Sequence, residues 1–179
     1  KLIVLRFEEM LKERRQYFFD VEEFEGIVQY FVENNELKKA IKAINYAIRQ
    51  HPNATSLLLL NAQLLASSHK HQEAVEILKR LENMEPYNAD VHFVKANVLS
   101  QTRMYKKAID SYKKALACVN AKDEKEEILL NMAFEYENLN KYETTVEYLK
   151  MVLELNPENE TALHEIAFCL DFIDKTEEN

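Results

Sequence analysis

The closest thing to a chemical motif in the chain is a pair of histidines one residue apart, His69 and His71. Two imidazoles at that spacing can share a metal ion, but a stable zinc site takes about four ligands. Only Glu73 stands near enough in sequence to add a third. Ser67 and Ser68 lie beside the same histidines, yet an activated serine needs a base held by a further group, commonly after a glycine elbow. Gly26 is the one glycine in the chain. The carboxylates come as adjacent pairs, Glu8-Glu9, Glu22-Glu23 and Glu126-Glu127. Neighbouring residues do not share a helix face, so such pairs are poor acid–base partners. His51, His92 and His164 are scattered, and Cys118 and Cys169 lack metal or redox spacing. The expectation is a protein without catalytic residues, metal or cofactor.

The elements that position these side chains follow from composition. With 47% hydrophobic and 30% charged residues, the 179-residue chain has enough apolar surface to fold. One glycine and three prolines (Pro52, Pro86, Pro157) are too few breakers for a β-rich fold or a glycine-rich phosphate loop. An all-α chain is expected. Its net charge of −8, without a basic cluster, argues against nucleic acid and anionic membranes. No apolar run reaches the ~18 residues of a membrane span. The opening KLIVLRF is too short for a signal peptide. A chain beginning with Lys1 is expected to be a piece of a longer protein, and its two lone cysteines suit the reducing cytoplasm.

The prolines carry a period. Pro52 and Pro86 are 34 residues apart, and Pro157 follows after two further periods and three extra residues. Four repeats result, at 21–54, 55–88, 89–125 (with a three-residue insertion at 123–125) and 126–159, preceded by a packing helix within 1–20 and followed by a half repeat or capping helix at 160–179. All are expected to form one continuous domain. The eighth column reads Val28, Ala62, Ala96, Ala133 and Ala167, and the twentieth reads Ala40, Ala74, Ala108 and Thr145. Small residues there let two helix backbones approach, while Phe31, Leu65, Leu99, Tyr136 and Leu170 in the eleventh column fill the space between. First helices are predicted near 21–34, 56–68, 89–102, 126–139 and 160–173, and second helices near 37–50, 71–84, 105–119 and 142–155. Residues 3–18 read as an N-terminal helix with Leu5, Phe7, Met10, Leu11, Tyr17 and Phe18 on its apolar face. Asp20 and Glu23 form a capping-box pattern. The insertion predicts either a lengthened second helix in the third repeat or a loose loop after it. Lys95 in the apolar seventh column is expected to run its stem along the core and place its ammonium in solvent.

At these columns and at the three prolines the sequence resembles the tetratricopeptide repeat family, as a tandem array of the bacterial type. The resemblance implies an all-α, right-handed superhelical solenoid of stacked antiparallel hairpins, with first helices lining a concave groove. It also departs from the family pattern, with His92 in the fourth column and Asn61 and Lys95 in the seventh. The family's ligand-facing columns are the second, fifth, ninth, twelfth and thirteenth. Carried onto this chain they give Glu25 and Gln29, then Leu59 and Gln63, then Asp90, Phe93, Asn97 and Gln101. The fourth repeat adds Glu127, Leu130, Phe134 and Glu137, and the half repeat adds His164 and Phe168. These are the candidate peptide-binding residues. The carboxylate clamp of the co-chaperone members is missing, because of its residues only Asn97 is kept.

The resemblance implies a non-enzymatic scaffold or adaptor that holds a protein or an extended peptide. Seven of the 25 groove positions are acidic and none is Lys or Arg, where chance would put about three. Such a groove should draw basic segments with one or two apolar anchors. Two alternatives come from other classes. One is a self-association module, with a homodimer through the apolar last helix. The other is a regulatory array of a larger enzyme or sensor.

Overall fold

The computed structural model describes residues 2–177, and these are all-α. Ten helices follow one another: α1 (Leu2–Glu13), α2 (Val21–Glu33), α3 (Leu37–Gln50), α4 (Thr55–Ser67), α5 (His71–Met84), α6 (Ala89–Gln101), α7 (Tyr105–Cys118), α8 (Lys122–Asn138), α9 (Tyr142–Leu155) and α10 (Glu160–Glu177). They divide into two compact units, Lys1–Leu81 and Glu82–Asn179.

In the first unit Phe7 of α1 is fully buried, its ring within 5.9–6.4 Å of Phe19, Phe24, Phe31 and Tyr46. Aromatic rings at such separations and steep angles add to simple area burial. The N-terminal helix is shorter than the expected 3–18. It ends at Glu13, Arg14 turns left-handed at φ 55°, and the chain runs extended into α2. After that turn Phe19 is fully buried and Phe18 (67% exposed) faces out, as does Leu5 (57%) on α1 itself. The extended segment is tied down from the far end of α3. The Gln50 side chain donates to the Tyr17 carbonyl at 2.9 Å and accepts from the Phe19 amide at 3.1 Å, and His51 Nε2 lies 2.7 Å from the Phe19 carbonyl. The Asp20–Glu23 capping box then starts α2, with both reciprocal bonds formed at 2.7 and 2.9 Å.

The second unit holds the hairpins α6–α7 and α8–α9 with α10 against α9. The eighth and twentieth columns are buried in both hairpins: Ala96, Ala108 and Ala133 are fully inaccessible and Thr145 nearly so. The Thr145 hydroxyl donates to Lys141 O at 3.0 Å and lies 3.4 Å from the Ala133 carbonyl, which shows how closely the α8 and α9 backbones meet. The insertion lengthens neither the second helix of the third repeat nor its loop. α7 stops at Cys118, Val119 turns to extended backbone, and the added residues become the first turn of α8, which starts at Lys122. Asp123 and Glu124 in that turn complement the positive end of the helix dipole. Asn156 and Asn159 both donate to the Glu126 carboxylate, at 2.8 and 2.7 Å, and Asn159 also caps α10 through the Ala162 amide at 2.8 Å.

Each hairpin turn is built alike and without glycine. Asn35, His69, Arg103 and Asn140 take φ between 56° and 60° at the fifteenth position. The next amide returns to the eleventh-position carbonyl, at 2.8 Å for Glu36 to Phe31 and 2.9 Å for Met104 to Leu99. This is the six-to-one bond of a Schellman ending. A left-handed residue with a Cβ costs about 1–2 kcal/mol, and asparagine tolerates the region best. Arg103→Gly is therefore expected to raise stability by about 0.5–1 kcal/mol after glycine's own chain entropy is counted, while Asn140→Gly changes it less. Urea unfolding of the two variants checks this; a destabilised Arg103→Gly would contradict the turn assignment.

Candidate binding face

The groove columns are spaced to lie on one stripe of each first helix. In the first unit Glu25 and Leu59 are half-buried, and Gln29 and Gln63 are exposed. Gln29 donates to Glu33 at 2.9 Å, and a shallow depression is lined by Glu22, Glu25, Gly26, Gln29, Ser56 and Leu60. Among the groove positions only Ala66 is buried.

In the second unit α6, α8 and α10 carry the rest. Phe93, Asn97, Leu130, Phe134 and Glu137 are half-buried, whereas Asp90, Gln101, Glu127, His164 and Phe168 are exposed. The Phe93 ring meets Tyr112 of α7 edge-on at 5.7 Å. Leu130 packs partly against the cluster of Leu129, Ala133, Leu149, Val152 and Ala162. Neither is loose, but both keep accessible surface. The amide oxygen of Asn97 accepts the Tyr112 hydroxyl in a short hydrogen bond, so Asn97 is held in place from the core side.

The electrostatics of this unit are one-sided. Burial, and then the charge of Glu165, raises the Glu137 carboxyl above its ordinary value. The fully buried Cys169 thiol is pushed up to about 11 by burial and by Glu137 and Glu165. Burial, followed by the charges of Glu135 and Glu127, raises the Tyr112 phenol as well. Asp171 is met by Lys175 at 2.6 Å on its own helix. The exposed lysines of α7, Lys106, Lys107, Lys113 and Lys114, lie on a second helix.

Glu135 lies outside the groove columns, yet it and Tyr112 hold two groove-column residues, Ser100 and Asn97, from behind. Ser100 donates to Glu135 at 2.6 Å, Glu135 is only 3% exposed, and Tyr112 reaches Asn97 from behind. A signal for Glu135 was present. In the tenth column it stands with Tyr30, Leu64, Val98 and Cys169, the one charge in an otherwise largely apolar set. The histidine pair stays in its turn, with His69 left-handed and the two rings 5.9 Å apart. Among the described residues no three His, Cys, Asp or Glu side chains gather in a way that could hold a metal ion.

Antiparallel helix pairs with buried small-residue columns and a recurrent left-handed turn define an all-α helical-repeat protein. Residues 89–117 and 126–159 match the tetratricopeptide repeat family model. Those two segments are thus tetratricopeptide repeats, within an all-α helical-repeat fold. Its fold is similar to that of MamA residues 41–end from Desulfovibrio magneticus RS-1, with a TM-score of 0.74 and 18% identity over 88% of this chain and 87% of that one. PilF of Pseudomonas aeruginosa has a TM-score of 0.77 and 15% identity, over 86% of this chain and 69% of that one. No protein of curated function matches the sequence.

Two of the three residues that break the family columns, Lys95 and His92, lie beside one carboxylate. Lys95 does not send its ammonium into solvent; it forms a short ion pair with Glu82, which also accepts from Lys114 at 2.7 Å. His92 is buried in the fourth column, its Nε2 2.7 Å from the Pro86 carbonyl and its Nδ1 3.7 Å from Glu82. Burial alone would raise the Glu82 carboxyl, but the bonds from Lys114 and Lys95 outweigh it and hold the pKa at about 2. A folded value below the unfolded one contributes stability above pH ~4.5 that is lost as pH falls towards about 2. Glu82→Gln is expected to cost about 1–3 kcal/mol at neutral pH, because it leaves a partly buried ammonium without its counter-charge. Melting curves from pH 7 to 2 should show the parent and variant converging at the acid end. A gap independent of pH would contradict the assignment.

Proposed function

We propose that this protein is a non-enzymatic scaffold whose first-helix faces hold an extended, basic segment of another protein. One observation carries the reading. On α6, α8 and α10, accessible Phe93, Leu130, Phe134 and Phe168 alternate with Asn97 and Gln101 and with carboxylates, and no lysine or arginine stands at a groove position. Accessible aromatic residues grouped on one face mark binding surfaces. Amide side chains that both donate and accept suit the backbone of an extended peptide. Unbalanced negative charge selects basic ligands and speeds their encounter. Glu25, Gln29, Leu59 and Gln63 present the corresponding face of the first unit. Cytoplasmic placement belongs to the same reading, supported by the unpaired Cys118 and Cys169. Among the described residues no helix is long and apolar enough to cross a membrane.

A second reading, self-association through α10, is favoured by Leu163 and Leu170. Both are about half exposed, whereas their counterparts Leu129 and Leu99 are buried. One experiment separates the two. A peptide array probed with the full chain should enrich segments with Lys or Arg beside an apolar anchor. The enriched peptides should bind about 10–100-fold more weakly to the Phe93→Ala, Phe134→Ala double variant, and more weakly in salt, since exposed charges are screened beyond ~8–10 Å. Enrichment of acidic peptides, or binding that survives Glu25→Lys with Glu127→Lys, would contradict the groove reading. Sedimentation of the same protein decides the other reading: a monomer at every concentration rejects self-association.

A further inference from the structure

Glu135 occupies a tenth-column position that is apolar in the neighbouring repeats, and it is 3% exposed between α6 and α8. Its Oε1 accepts the Ser100 hydroxyl at 2.6 Å, while its Oε2 is buried without a hydrogen-bond donor. No lysine, arginine or histidine among the described residues pairs with it. A buried carboxylate with one unsatisfied oxygen is costly, and sequences seldom keep one without a use. Ser100 and Asn97 are both half-buried groove-column residues, so the carboxylate lies one hydroxyl beneath the face. The Tyr112 hydroxyl that Asn97 accepts is within electrostatic reach of both Glu135 and Glu127.

We infer that Glu135 is the seat for a cationic side chain, the guanidinium or ammonium of one Arg or Lys in the bound segment, entering beside Asn97 as the Ser100 hydroxyl rotates aside. This rests on the basic-segment reading above and gives it a specific address. Phe93, one turn before Asn97 on α6 and in edge contact with Tyr112, supplies an apolar wall for the alkyl stem. Exposed Glu127 adds negative potential at the entrance. Burial holds the Glu135 carboxyl above its ordinary value despite the bond from Ser100. A cation donating to Oε2 would reverse that, because charge-assisted bonds are roughly twice as strong as neutral ones.

The test uses the full chain, its Glu135→Gln variant, and an array-selected peptide beside its arginine-to-citrulline analogue, which keeps the shape and removes the charge. Glu135→Gln removes a buried charge and should fold at least as well as the parent, which circular dichroism verifies. In the parent, citrulline should weaken binding about ten-fold, whereas in Glu135→Gln the two peptides should bind alike. An undiminished citrulline penalty in Glu135→Gln overturns the seat and leaves the groove reading standing. If the array yields no ligand, the groove reading fails and n-butylguanidinium becomes the probe. A saturable fall in the titration midpoint of the 13C-labelled Glu135 carboxyl then supports the seat, and an unmoved midpoint overturns it.

Discussion

Two helices of a hairpin can share a core only where their backbones come close enough for side chains from both to interlock, typically 8–10 Å between axes. In this chain the approach is fixed by small residues facing each other. Ala96 of α6 and Ala108 of α7 are both inaccessible, and the Ala133 carbonyl of α8 lies 3.4 Å from the nearly inaccessible Thr145 hydroxyl of α9. With that contact set, the remaining faces have no freedom of rotation. Tyr112, Leu149, Ala115 and Val152 fall into the core, and the opposite stripe of each first helix must be shown to solvent. The accessible face is thus a by-product of the packing register. A residue on it is available for recognition because the helix has already met its packing needs on the other side.

Much of this was legible in the residue pattern because it is periodic. The 34-residue spacing placed every hairpin to within a few residues, and the small-residue columns are buried where that spacing put them, except Ala167 of α10. What was not legible is aperiodic. The end of α1 depends on a single left-handed Arg14 and on Gln50, more than thirty positions away, holding the extended chain. The three-residue insertion could be assigned to either side of the turn. Its placement in α8 follows from Val119 turning extended and from Asp123 and Glu124 suiting a helix start. Lys95 and His92 looked like column errors one at a time. Only the fold brings Glu82 beside both and pairs it with Lys95.

Charge is divided by the same register. Second helices carry the lysines, as in α7, and groove columns on the first helices carry carboxylates with none of the opposite sign. Where a lysine does enter a first-helix core column, Glu82 neutralises it. Where a carboxylate does, at Glu135, no lysine answers, and burial raises it, as it also raises Glu137 in a groove column. The asymmetry gives the second unit a face that is satisfied for cations and unsatisfied for anions.

All of these assignments share the register set at the twentieth column, so the most direct measurement is the thermal stability of Ala108→Leu. Leucine there adds three carbons where the α6 and α7 backbones meet, and such overpacking costs ~1–3 kcal/mol. The account predicts a clearly lowered melting temperature with the helical signal intact below it. A melt indistinguishable from the parent would mean that Ala108 faces open space, that the hairpin register is different, and that the residues assigned to the binding face are the wrong ones.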